Sequence, residues 1–229
     1  MNRYSVIRGN FPREFLLLQG TGCRWGKCTF CDYHGDTSAT PFSVNRKVLE
    51  QVTGKYGVLD IINSGSAMEL DPDTLAMIRQ VAIGKGIHTL WFEVHYMYRH
   101  RLAAFARQFH PLTVKFRCGV ETFSPTLRTN WHKGIPPHVT PGDIARHFQG
   151  LCLLCCTDTP GDTRERLLRD IDLAERHFEY YSVNVFCPNT TALRRNDDML
   201  RWFLAEVYPT LQKSSKAEIL IDNTDLGVG

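Results

Sequence analysis

Short apolar runs that stop at small or polar residues recur along this chain, and a helical stretch follows most of them. Glu14–Gln19, Tyr56–Ile62, His88–Val94, Leu112–Val120, Leu151–Cys156 and Tyr181–Phe186 read as strands, and Ala217–Ile221 as a last strand before a polar tail. The intervening helices are expected over Ser43–Val52, with Ser43 as cap, from Asp71 to Ile83, over Arg101–Phe109, from the Pro160–Thr163 turn to Phe178, and over Asn196–Tyr208. The segment from Thr122 to Pro141 reads as loop with one helix at its start. Such alternation implies an α/β fold in which a parallel sheet is covered by helices through right-handed crossovers. With no repeat and no linker, a single domain over residues 1–229 is expected, its core at 14–190 and a C-terminal helix and strand at 191–229. Chemistry in such folds gathers at the carboxyl ends of the strands.

The densest chemistry in the chain lies just past the first of those strand ends. Cys23, Cys28 and Cys31 form a C-x4-C-x2-C pattern inside Gly22–His34. Disulfides consume cysteines in pairs, so three in one short loop suit a metal better. Two centres are compatible. A structural zinc takes four ligands, and His34 could complete a Cys3His set. An iron–sulfur cluster on three thiolates leaves one iron open to another ligand. Gly20, Gly22 and Gly26 mimic a dinucleotide loop, but that fingerprint should open a helix, and here it opens a cysteine loop. The glycines instead suit a backbone that wraps closely around a bound group. Cys118, Cys152, Cys155, Cys156 and Cys187 sit in apolar runs and read as buried structural thiols.

Net charge is +3, from 27 basic and 24 acidic residues, which gives no support to broad nucleic-acid binding. No apolar run reaches membrane-spanning length, and Met1–Pro12 has no signal-peptide core. A cytoplasmic protein with reduced thiols, and no membrane partner, is the expectation.

The cysteine loop and the strand ends together resemble the radical S-adenosylmethionine (SAM) enzymes, over about Glu14–Asn189. Their usual spacing is C-x3-C-x2-C; this chain has one extra residue in the first gap. Phe30 stands where that superfamily has an aromatic before the third cysteine. Asn63-Ser-Gly-Ser66 stands where it often has Gly-Gly-Glu, without the glutamate. Glu93, Gly119-Val-Glu-Thr-Phe123 and Pro160-Gly-Asp-Thr163 are similar to the elongator-like branch. In size, and in the run Cys31-Asp-Tyr-His-Gly-Asp36, the chain most resembles the small bacterial queuine lyases.

The resemblance implies a partial (β/α)6 TIM-like barrel with a 4Fe–4S cluster on Cys23, Cys28 and Cys31. It implies SAM held by Phe30, Asn63, Ser64, Gly65, Ser66, Glu93 and Glu121. It also implies an external one-electron reductase and a nucleoside or nucleotide substrate, queuosine or its 5′-phosphate, rather than intact nucleic acid. Acids at strand ends suit the SAM amino group or ribose hydroxyls through charge-assisted hydrogen bonds. Asp32, Tyr33, His34, Asp158 and Asn189 are candidates to read the polar base, and Lys133 a candidate for a phosphate. Arg146, Arg194 and Arg195 also follow strand ends and read as surface charges; Trp202, Phe203 and Tyr208 read as packing.

Overall fold

The computed structural model describes all 229 residues. Eight strands are hydrogen-bonded in chain order. The chain resolves into two compact units, one of residues 1–26, 33–116 and 223–229, the other of residues 27–32 and 117–222.

In the first unit β1 (Tyr4–Ile7) pairs antiparallel with β2 (Arg13–Leu18), and β3 (Val58–Asn63) and β4 (Thr89–Glu93) follow in parallel. The crossover helices are α1 (Pro41–Leu49), α2 (Pro72–Gly84) and α3 (Leu102–Arg107). Every residue of β2 is buried, which is why its sequence shows an unbroken run rather than alternation. The run includes two charges, and both are satisfied. Arg13 pairs with Asp60 at 2.8 Å, and Glu14 accepts from Tyr4, Thr53 and Gly54.

Strand β5 (Thr113–Glu121) begins in the first unit and ends in the second. The second unit continues with α4 (Pro125–Asn130), α5 (Pro141–Ala145), β6 (Gly150–Cys155), α6 (Arg164–His177), β7 (Tyr180–Val185), α7 (Asp197–Trp202), α8 (Tyr208–Leu211) and β8 (Ala217–Leu220). From β5 to β8 all neighbours are parallel. Thr163 and Asn196 cap α6 and α7 through side-chain oxygens, as Asp71 caps α2.

Several boundaries differ from the sequence expectation. Strand β1 was not expected, because four half-buried residues carry little periodicity. Helix α1 starts at Pro41, with Thr40 rather than Ser43 at its cap position; the Ser43 hydroxyl donates to the Thr40 carbonyl instead. Proline suits the first helical turn, where its missing N–H has no partner to lose. Helix α5 was also missed, although Thr140 and Asp143 close a reciprocal cap around it. The last helix is interrupted by a π-helical turn over Phe203–Val207, two residues ahead of Pro209, which has no N–H for the regular ladder. The polar tail is partly core: Val228 packs with Phe15 and Leu17.

Candidate active site

Within the first unit the end of β2 is held by a buried side chain on α1. Asn45 accepts the Gln19 N–H at 2.7 Å and donates to the Gln19 carbonyl at 2.8 Å, bridging the last residues before the cysteine loop. Gly20 N–H donates to Ser64 Oγ at 3.0 Å, so the start of the loop is tied to the end of β3. Gly22 and Gly26 have φ of 128° and 56°, a region glycine enters without strain. The turn at Gly26 aims its N–H at Cys23 Sγ, 3.3 Å away.

Gly65 lies against this loop. A Cβ there would fall 2.8 Å from the Gly22 carbonyl oxygen, 3.1 Å from Cys23 Cα and 2.3 Å from Glu69 Oε2. Glu69 closes a capping box with Ser66, its Oε2 accepting the Ser66 N–H at 2.9 Å. Its Oε1 accepts the Tyr98 hydroxyl at 2.8 Å and the Arg24 N–H at 3.2 Å. Burial, then the bond to Glu69, pushes the Tyr98 phenol up to about 12. Trp25 stacks on His95 at 5.5 Å between centroids. Glu69, absent from the sequence expectation, is thus the hub of the Cys23 end of the loop. Its signal was the Ser66-x-x-Glu69 spacing, a capping box in sequence. Ser64 and Ser66 are buried and bonded to backbone; Ser66 Oγ also accepts the His95 N–H at 3.4 Å. Asn63 donates to the Ser66 carbonyl, while its buried Oδ1 has no protein partner. Glu93 ends β4 half-buried. Tyr33 and His34 lie in an exposed 3-10 turn, and Asp36 beyond them anchors Arg3 and Gln19.

The second unit carries the rest of the loop. Thr29 N–H donates to the Trp131 carbonyl at 3.1 Å, and Cys31 N–H to the Cys28 carbonyl at 3.3 Å. Phe30 meets the edge of Trp131, in a cluster with Leu127, Leu154, Phe186 and Leu193. Glu121, at the end of β5 with φ of 67°, binds Lys133 at 2.9 Å. Both are buried, and the Lys133 ammonium also lies 5.4 Å from the centre of the Phe30 ring. Burial alone would push this ammonium down. The Glu121 carboxylate, with Cys28 and Cys118 nearby, outweighs it and holds the lysine well above its usual range. The sequence expectation of Lys133 as a phosphate ligand or surface charge therefore meets a buried ion pair. Arg146 and Arg195 pair with Asp143 and Asp197 at the surface.

Asp32, Asn189 and Asp158 all bond to chain. Asp32 Oδ2 accepts the Thr190 N–H and hydroxyl, each at 2.9 Å, and Asn189 donates to the Phe30 carbonyl at 2.8 Å. Asp158 accepts the Arg194 N–H at 3.0 Å. Below these loops lies a buried network that sequence reading missed. Arg166 binds Asp162 and, at 3.2 Å, Asp170, donates to the Leu154 carbonyl at 3.1 Å, and lies over the Trp131 ring. Thr122 and Thr157, each just past a strand end, donate to Asp170 and Asp162. Burial pushes the Asp170 carboxyl up in spite of Thr122 and Arg166. The spacing of Asp162, Arg166 and Asp170 at four-residue steps was the available signal.

Cys23, Cys28 and Cys31 are half-buried, and none is in a disulfide. Soft sulfur donors, a backbone N–H aimed at one of them and glycine-permitted approach of the neighbouring backbone fit an iron–sulfur cluster.

No protein-family model matches the chain, and no curated protein does. Among solved structures, Streptococcus suis SuiB bound to S-adenosylmethionine matches with a TM-score of 0.55 and 14% identity, over 93% of this chain and 48% of that one, a likeness of fold. Queuine lyase from Clostridium spiroforme, bound to SAM and queuine, matches with a TM-score of 0.94 and 34% identity, over 100% of this chain and 99% of that one. The fold class is the partial (β/α)6 barrel that the family resemblance implied. The chain belongs to the queuine lyase family, within the radical SAM superfamily of enzymes.

Proposed function

We propose that this enzyme releases the base queuine from queuosine or queuosine 5′-phosphate, in salvage of the base. The likeness to queuine lyase over the full length of both chains is the observation that carries this reading. Cys23, Cys28 and Cys31 hold a 4Fe–4S cluster in this proposal, and Phe30, Asn63–Ser66, Glu93 and Glu121 hold SAM. Bound and reduced by an external one-electron donor, that pair would supply the radical hydrogen-atom abstraction on which release of the base depends.

The chain's own part is to place and to shield. The neighbours of Lys133, namely Glu121, Phe30 and Cys28, support a role for it beside the cofactor rather than on a substrate phosphate. A buried ammonium and carboxylate side by side suit a ligand that carries both an amino and a carboxylate group. The buried Asn63 Oδ1 is an acceptor that a bound donor would satisfy. Tyr33 and His34 remain substrate contacts in this reading. No helix is long and apolar enough to cross a membrane; a cytoplasmic location, where thiols stay reduced, completes the proposal.

The test is anaerobic turnover of reconstituted, reduced enzyme with SAM and, in turn, queuosine, its 5′-phosphate and queuosine-bearing tRNA. Queuine formed together with 5′-deoxyadenosine supports the reading and names the substrate. Deoxyadenosine without queuine from any of the three overturns the substrate. Cys28→Ala should abolish both products; deoxyadenosine at the normal rate in that variant overturns the cluster assignment.

A further inference from the structure

The segment between β7 and α7, from Cys187 to Arg195, contains no helix or strand, yet it is fastened at two places within the second unit. At its far end Arg194 exchanges two hydrogen bonds with Asp158, at 2.9 and 3.0 Å, and Arg195 bridges to Thr157. At its near end Asn189 Nδ2 donates to the Phe30 carbonyl at 2.8 Å. Thr190 gives both its N–H and its hydroxyl to one oxygen of Asp32, at 2.9 Å each. Between the two, Leu193 packs into the Phe30–Trp131 cluster. The near-end acceptors, Phe30 and Asp32, are the two residues that flank Cys31.

We propose that Asp32 and Asn189 are positioning residues that latch residues 187–195 to the cysteine loop, so that filling the loop tightens this strap. The inference builds on the reading of Cys31 as a ligand. A thiolate bound to a centre loses its freedom, and the backbone on either side loses it too. Whatever immobilises Cys31 immobilises the Phe30 carbonyl and the Asp32 carboxylate, and through them Asn189 and Thr190. Both bonds to Asp32 are charge-assisted, the stronger class of hydrogen bond. A carboxylate whose Oδ2 already takes two chain donors is better suited to holding a loop than to reading a base.

Arg194 and Arg195 place tryptic sites inside the strap itself. Limited proteolysis of the anaerobic protein should cut there more slowly after cluster reconstitution than before. In the reconstituted state, at matched iron content, Asp32→Ala should raise the cutting rate about tenfold, as the loss of one strong contact does. Asn189→Ala should raise it as well, and it reads the same latch from the other side if Asp32→Ala does not take up iron. Turnover supplies the second readout. A loose strap raises deoxyadenosine formed per queuine, whereas a general folding defect lowers both in step. Unchanged cutting in both variants, or wild-type cutting that is indifferent to the cluster, overturns the latch. Wild-type enzyme that forms no queuine overturns the substrate reading instead, and leaves the proteolysis to decide the strap.

Discussion

A buried lysine is stable only with a partner, and Lys133 has one in Glu121. Removal of one member strands the other. Lys133→Met leaves a carboxylate without its cation at a site where Glu121 is 7% exposed, and the apo protein should lose about 3–5 kcal/mol in anaerobic urea unfolding. Lys133→Met with Glu121→Gln should recover much of that loss, because no bare charge then remains; a double variant as unstable as the single one would show that packing, not charge, sets the cost. The lysine's raised pKa also fixes the pH window. Its contribution is fully present below the unfolded value of about 10.4 and is lost only as pH rises through the higher folded value. Across neutral pH this pair should leave the stability curve flat.

At the scale of elements, one polar side chain decides where the cysteine loop begins. Asn45 is fully buried on α1 and meets both backbone groups of Gln19 and the Thr74 hydroxyl at the start of α2. Asn45→Ala orphans a buried N–H and a buried carbonyl together, and should cost about 2–4 kcal/mol in the same unfolding assay. A loss below about 1 kcal/mol would mean that water replaces the amide. This residue also shows what was legible beforehand. The apolar stripe of α1 could be read from its spacing, and the strands from their unbroken runs, because burial on two faces writes itself into consecutive residues. Asn45 could not be read, since its value depends on a backbone pair that only the fold brings to it. The candidate site divides in the same way. Three thiols on one short loop were visible as a candidate ligand set. Glu69 was visible as a cap but not as the acceptor for Arg24 and Tyr98, which come from other elements. The Glu121–Lys133 pair needed the turn after α4 to carry Lys133 back to the end of β5.

For the molecule as a whole, the acid limb of stability should be written largely by Glu14. Its carboxylate sits inside β2 and takes four donors: the Tyr4 hydroxyl at 2.7 Å, the Thr53 N–H at 2.7 Å, the Thr53 hydroxyl at 3.1 Å and the Gly54 N–H at 2.7 Å. Burial alone would push this carboxyl up; the four donors outweigh it and hold it below its ordinary 4.5. The stability it contributes is therefore present above the unfolded value and is lost as pH falls through the lower folded one. Asp36, lowered by Arg3 and Gln19 against its own burial, runs the same way. Asp170 runs the other way: burial raises it, so acidification through its folded value returns stability. Glu14→Gln separates these contributions. The amide keeps one acceptor but turns its –NH2 toward backbone donors, so stability at pH 7 should fall by about 2–4 kcal/mol. The drop between pH 7 and pH 3 should shrink at the same time, since the group that titrates is gone. Urea midpoints at both pH values decide it, and an acid limb as steep in Glu14→Gln as in the wild type would move the origin of acid sensitivity to Asp36 and its bond to Arg3.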